Sequence, residues 1–361
     1  MAQADLKFGK KLKKYGAVDF NACYNCGTCT AMCSLSTEQD SFPREMVRLS
    51  VLGQSEDVSI SLKPWLCYYC GECTTHCPQE AKPGELMMSL RRYLTSKYDW
   101  TGLSGFFYRN IITYIIAFLL IAVVVFGLDT FIEIGKDKWL HYGHLFEMLA
   151  FAGVFVIILI PNIIRMWYFS VWKGNHTFSI KAYAFSFKEL FIHMFTQKRS
   201  LSCESSLHNT IWWFEHLILV LGYLLLLFTT VFLDWFSTTN SVVIFMGYLF
   251  SAIIFIVTFE FVLRRLRKES EKSTYSHPSD WFFVIWLFLM GITAFAVRLL
   301  IDMQLLESNL WLYLVHLMVL TQWALVIVPF GKWTHFLYRS FAMYFVRILE
   351  INIKLTRKTT E

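Results

Sequence analysis

Long apolar runs begin after Trp100 and recur almost to the end of the chain. A helix needs about 20 mostly apolar residues to cross the hydrocarbon core. Six stretches meet that length: 110–128, 144–169, 211–233, 242–263, 281–300 and 310–330. Before Trp100 the pattern differs. Residues 1–100 are polar overall, with apolar positions at helical spacing in short stretches. One is Pro43-Arg44-Glu45-Met46-Val47-Arg48-Leu49, where Pro43 suits a first helical turn. Another runs from Pro83 through Leu86, Met87 and Met88 to Leu90 and Leu94. Few β-branched alternations occur. The chain therefore reads as all-α: a small helical head over residues 1–100 and a six-span transmembrane helix bundle over 101–361. The head's apolar core is expected to be thin for its length.

Composition sharpens this picture. Hydrophobic residues are 56% of the chain and charged residues only 17%, which excludes an ordinary soluble domain. The excess of basic over acidic residues is placed by topology, and no nucleic-acid partner is expected. Lys173, Lys181, Lys188, Lys198 and Arg199 fall between the second and third runs; Arg264, Arg265, Arg267, Lys268 and Lys272 fall between the fourth and fifth. Connections of the other parity hold Lys136 and Lys138 but are otherwise acidic or neutral (Asp129, Glu133, Asp234, Asp302, Glu307). By the positive-inside rule both termini lie in the cytoplasm of a multi-pass protein of the inner membrane. The basic tail (Arg339, Arg347, Lys354, Arg357, Lys358) agrees. Near the start, Lys7, Lys10, Lys11, Lys13 and Lys14 are not followed by an apolar stretch, so no signal peptide is read there. These lysines suit a solvated tail first, and otherwise an acidic partner or anionic lipid.

Eight of the nine cysteines repeat one spacing, Cys-x2-Cys-x2-Cys-x3-Cys: Cys23, Cys26, Cys29, Cys33, then Cys67, Cys70, Cys73, Cys77 followed by Pro78. Thiolates are soft ligands, and this doubled run is the signature of two [4Fe–4S] clusters in which each fourth cysteine ligates the other cluster. One cluster then takes Cys23, Cys26, Cys29 and Cys77; the second takes Cys67, Cys70, Cys73 and Cys33. Zinc favours two separated CxxC knuckles per ion, and a reducing compartment opposes disulfides. Such clusters are expected to supply much of the head's folding energy. The ninth cysteine, Cys203, stands alone and reads as structural.

Ionisable groups inside spans are costly and by default functional. His216 and His316 lie within apolar runs, while His208 and His335 lie at the inner ends of the third and sixth. A b-type haem needs two imidazoles from different helices. Opposite helix directions permit two stacked pairs, His216 with His316 (outer) and His208 with His335 (inner). The spacings differ: about 12 Å from His208 to His216 but roughly 28 Å from His316 to His335 on unbroken helices. Pro329 and Gly331 can break the second of these. The competing reading of a buried histidine is an interhelical hydrogen bond. His141 and His144 are reserve ligands. Of the remaining intramembrane charges, Arg298 and Asp302 suit an i,i+4 ion pair or a cofactor contact equally. His144, Glu147, Arg298 and Asp302 are together the candidate quinone site, placed near the outer haem.

Two segments carry a resemblance. Cys23-Tyr24-Asn25-Cys26-Gly27-Thr28-Cys29 and Trp65-Leu66-Cys67-Tyr68-Tyr69-Cys70 resemble the small iron–sulfur polypeptide of heterodisulfide reductases. The apolar half, with Pro329-Phe330-Gly331-Lys332-Trp333-Thr334-His335, resembles nitrate-reductase gamma-type cytochromes b. Their fusion looks like the cluster-bearing membrane protein of quinone-interacting membrane-bound oxidoreductase complexes. That likeness implies an α-helical ferredoxin head and haem ligands on the second and fifth helices of a five-helix unit. It also implies menaquinone as redox partner, cytoplasmic flavin and iron–sulfur subunits of one complex, and adenylylsulfate reductase as acceptor in sulfate respiration. A heterodisulfide reductase-type complex and a haem-free membrane anchor are the alternatives.

Overall fold

Uninterrupted Leu, Ile, Phe and Val leave the backbone no solvent to bond, and helices satisfy it internally. A computed structural model describes residues 4–132, 134–173, 179–198, 201, 207–231, 240–269 and 271–360, without the side chains of 207–209, 230, 231, 271, 272 and 354–360. Glu133, His176, Arg199, Cys203 and Asp234 lie outside the described residues, as do the side chains of His208, Lys272, Lys354, Arg357 and Lys358. The fold is all-α. Among the described residues, six helical stretches are long and apolar enough to cross a membrane: Ile112–Ile132, Lys136–Trp172, Thr210–Thr229, Ser241–Arg267, Pro278–Asp302 and Glu307–Ile353. They correspond one to one with the predicted runs. The second begins earlier than expected, which puts His144 and Glu147 well inside it rather than at its end.

The chain packs as two units. The first comprises Met1–Arg109, Ile160–Thr210 and Thr334–Glu361. Its head holds α1 (Phe8–Lys13), α2 (Thr28–Ala31), α3 (Arg44–Val51), α4 (Ser55–Ile60), α5 (Lys63–Leu66), α6 (Glu72–Thr75), α7 (Pro83–Tyr98) and α8 (Leu103–Arg109). Pro83 opens α7 at a position where no amide donor is needed. This helix is central, buried around most of its circumference by α1, α3, α4 and α5. The core is not thin. Phe8, Leu12, Met46, Val47, Leu86, Leu90 and Leu94 of the head join Met166, Ala182, Tyr338, Ala342, Phe345 and Ile348 from beyond residue 109. Each Phe, Leu, Ile, Val or Met side chain among them contributes roughly 1.5–3 kcal/mol when fully buried. The head thus supplies most of this core itself and draws the rest from sequence that composition assigns to the membrane half.

Beyond the head, this unit takes α11 (Ile160–Trp167), which continues through Tyr168–Trp172, then α12 (Ile180–Thr196) and α19 (Thr334–Thr360). The helix α12 occupies a stretch that the charge count treats as a loop. Its cap is Ser179, whose hydroxyl accepts from the Ala182 amide, and it packs along α19. His193, expected in a loop, lies on α12 with its Nε2 3.5 Å from Glu189.

The second unit comprises Asn110–Leu159 and Ile211–Trp333. It holds α9 (Ile112–Ile132), α10 (Lys136–Gly153), most of α13 (Leu207–Val231), α14 (Ser241–Arg267), the short α15 (Glu271–Thr274), α16 (Pro278–Asp302), α17 (Leu310–Gln322) and α18 (Val328–Phe330). The anticipated break after Pro329 is present: Gly331 is extended and Lys332 pairs with Asp280 at 2.9 Å. Wide π-helical turns interrupt the second span at Val154–Leu159 and the sixth at Trp323–Ile327, which no period in the sequence signals.

Helices α14 and α16 approach backbone to backbone. A Cβ on Gly291 would stand 2.7 Å from the Phe255 amide nitrogen. Small residues allow such contact where water supplies no driving force between helices. Gly291→Ala should therefore cost about 1–3 kcal/mol by overpacking. The control is Gly247→Ala, where an added Cβ meets open space. Thermal unfolding in detergent should separate the two substitutions; equal midpoints would reject the close approach.

Candidate functional site

The two cysteine runs fold alike because their sequences place glycine at equivalent positions. Gly27 and Gly71 precede α2 and α6 with φ of 93° and 98°, a region a side chain rarely adopts. Each turn brings its third cysteine inward: Cys29 and Cys73 are buried, while Cys26 and Cys70 are exposed. Amides aim at sulfur in both runs, Asn25 to Cys23 at 3.4 Å and Tyr69 to Cys67 at 3.3 Å, and Ala81 donates to Cys77 at 3.3 Å.

Electrostatics show which thiols are neighbours. Burial pushes Cys29 up to about 11, and Cys23, Cys26 and Cys77 add to the rise. Burial also raises Cys33, reinforced by Cys67 and Cys70 of the other run. Cys73 is raised by burial, then by Cys67, Cys70 and Cys33, and last by Cys29 of the neighbouring set. Cys26 is lowered, by the Thr28 hydroxyl. A cavity of about 390 Å³, including its open mouth, is lined by Cys33, Cys67, Cys70 and Cys73. The fourth cysteine of each run thus lies with the first three of the other. Among the described residues, no three metal-binding side chains converge tightly enough for a single ion. Clustered buried thiols that raise one another's pKa suit a larger cationic core that holds them as thiolates.

Around the second set the sequence pattern did not single out one residue that matters. Arg91 on α7 is 7% exposed, and its Nε donates to the Pro64 carbonyl at 2.7 Å while Nη2 donates to that of Cys67. Burial pushes its pKa down to about 9, against the pull of the Cys67 thiolate. An arginine amid apolar helical spacing was the available signal. The guanidinium stands 6.0 Å from the Trp65 ring. Trp65 also meets His335, ring centroids 6.0 Å apart, and Tyr338.

In the second unit, His316 Nδ1 lies 2.8 Å from Thr293 Oγ1. Thr293 Oγ1 also lies 2.7 Å from the Leu289 carbonyl, an arrangement in which its one proton can serve that carbonyl while the oxygen accepts from Nδ1–H. Nε2 of His316 then carries a lone pair, as an iron ligand must. His216 stacks on Trp212, centroids 5.3 Å apart. Two turns beyond each histidine, Trp323 Nε1 donates to Tyr223 Oη at 2.9 Å. The candidate quinone residues fall on two helices. Arg298 and Asp302 form the i,i+4 pair on α16 (Nε–Oδ2 3.1 Å), to which Tyr248 donates at 2.7 Å. His144 and Glu147 lie one turn apart on α10. The carboxylates of Glu215 and Glu260 both accept from Arg264, Glu215 through both oxygens.

Residues 22–82 match a family model described as a 4Fe-4S dicluster domain. No curated protein and no solved structure matches the chain. The match and the apolar helices together support an iron–sulfur electron-transfer head on a chain with helices fit to span a membrane.

Proposed function

We propose that this chain is a membrane electron-transfer subunit, linking a menaquinone pool through b-type haem to two [4Fe–4S] clusters that serve cytoplasmic flavin and iron–sulfur subunits. The observation that carries the reading is the interleaving of the two thiol sets, the second of which adjoins Arg91 and Trp65, with Trp65 in turn against His335. One cluster is held by Cys23, Cys26, Cys29 and Cys77, the other by Cys33, Cys67, Cys70 and Cys73. When bound, clusters and haem supply single-electron steps. The chain's own residues set the conditions: amides stabilise the thiolates, Arg91 places a cation beside Cys67, and Thr293 fixes the tautomer of His316. Placement in the inner membrane with both termini cytoplasmic rests on the positive-inside count. The run from Pro329 to His335 supports the cytochrome b reading. Dissimilatory sulfur metabolism, with adenylylsulfate reductase as acceptor, follows from resemblance.

The haem ligands divide into two levels. His208 and His335 are proposed for the inner haem. His216 and His316 are proposed for the outer one, with His144, Glu147, Arg298 and Asp302 as the quinone residues beside it. The Tyr223–Trp323 contact joins the helices of that outer pair, two turns beyond each histidine.

Reduced-minus-oxidised spectra of the purified chain test the reading, with b-type bands expected alongside two cluster signals in paramagnetic resonance. Haem content of single His→Ala variants then tests the pairs. His216→Ala and His316→Ala should delete the same haem; loss of spectrally different haems rejects the pairing. Absence of b-type bands leaves a membrane-anchored ferredoxin.

A further inference from the structure

The first unit carries a basic cluster that the redox reading does not use. Lys97, at the end of α7, and Arg165, on α11, both stand 5.6 Å from the ring of Phe169. Arg165 is held there by its bonds to the carbonyls of Tyr98 (2.9 Å) and Lys97 (3.2 Å), so the guanidinium is fixed in place. Lys173 lies one helical turn beyond Phe169, and Lys97 and Lys173 are exposed. Burial and the like charges of Lys11, Lys173 and Arg165 depress the Lys97 pKa, as expected where cations converge. Glu56 is a weak counterweight: it stands 3.7 Å from Lys173 and is 71% exposed. Cations gathered this way favour an anionic ligand.

What lies beside the cluster narrows the ligand's class. Ile160, Ile164, Tyr168 and Trp172 recur every four residues along the same helix, and each is substantially exposed, from 40% at Ile160 to 57% at Trp172. This apolar stripe belongs to the second span and runs toward the cations. Tyr and Trp at its end match the amphipathic side chains that settle at headgroup level. An acidic protein would find the charge but no reason for the stripe; free phosphate would need neither the stripe nor the aromatic belt. An amphiphile with an anionic head needs both features in this order.

We infer that Lys97, Arg165 and Lys173 bind the phosphate headgroup of an anionic phospholipid whose acyl chain lies along Ile160, Ile164 and Tyr168. The site rests on the membrane reading of the second span and is independent of the haem assignment.

The test uses the full chain in phosphatidylcholine nanodiscs, with and without phosphatidylglycerol, and native mass spectrometry of the retained lipid. Wild type should retain phosphatidylglycerol against the phosphatidylcholine excess. Removing two basic residues in Lys97→Gln/Lys173→Gln should weaken retention roughly thirtyfold, since each near-surface cation contributes about a factor of five. Lys13→Gln, on the exposed face of α1, should retain lipid like wild type, and unchanged cluster signals would show that the head remains folded. Equal retention by the double variant overturns the site. Displacement of the lipid by millimolar inorganic phosphate overturns the lipid assignment in favour of a free-anion site. Retention of an acidic protein in place of lipid overturns it in favour of a docking surface.

Discussion

Cys77→Ala is expected to abolish the cluster of the opposite run. Cys77 raises Cys29 together with Cys23 and Cys26, whereas Cys33 faces Cys67, Cys70 and Cys73. Removing Cys77 should therefore erase the signal belonging to Cys23, Cys26 and Cys29 and leave the other cluster in place. Cys33→Ala should do the converse. Iron content should fall by half in each, and paramagnetic resonance should show a different surviving cluster in the two variants. Because a cubane crosslinks segments far apart in sequence, each loss should also lower the head's thermal midpoint. Loss confined to the mutated run's own cluster would overturn the crossed arrangement. Helical content should survive in part, because Phe8, Leu12, Leu86 and Leu90 pack with Phe345 and Ile348 independently of any metal.

The second large effect is expected at Arg91. Arg91→Leu keeps an apolar stem but leaves the carbonyls of Pro64 and Cys67 without their donor. Each buried, unsatisfied acceptor costs about 1–3 kcal/mol, so the head should lose roughly 2–6 kcal/mol. The same change removes a buried positive charge beside a cluster ligand. A reduced cluster carries more negative charge, so its midpoint potential should fall, on the order of tens of millivolts given about 59 mV for each tenfold change in a one-electron equilibrium. Arg91→Lys separates the causes: it restores the charge but not the forked pair of hydrogen bonds. Recovery of the potential without recovery of stability is the expected pattern. If neither quantity moves in Arg91→Leu, the residue is only a packing element.

Much of this molecule was legible in one dimension. Cluster ligands sit at fixed local spacing, so Cys-x2-Cys-x2-Cys-x3-Cys announces its chemistry wherever the fold puts it. The spans were legible for a similar reason. A bilayer sets the length and polarity of each crossing segment separately, so every run could be read without its neighbours. Pro329 and Gly331 marked a break because their backbone effects are intrinsic to the residues.

What depended on contacts between distant segments was not legible. The expectation of a thin core failed because the head's own apolar side chains meet in one interior, which α11, α12 and α19 complete, and composition cannot say where a helix will pack. Arg91 acquires its role only because the fold brings the carbonyls of Pro64 and Cys67 to its guanidinium. Helix register is the clearest case. Histidine order along each span is a property of the sequence, but depth against another helix is set by which side chains meet. Here Tyr223 meets Trp323, a contact that the order of histidines along each span does not contain. The chain's sequence thus determines which cofactors and which solvent each segment can accept, because ligand spacing and hydropathy are local. Only the tertiary structure decides which ligands share a centre, because that requires segments far apart in sequence to meet at one depth.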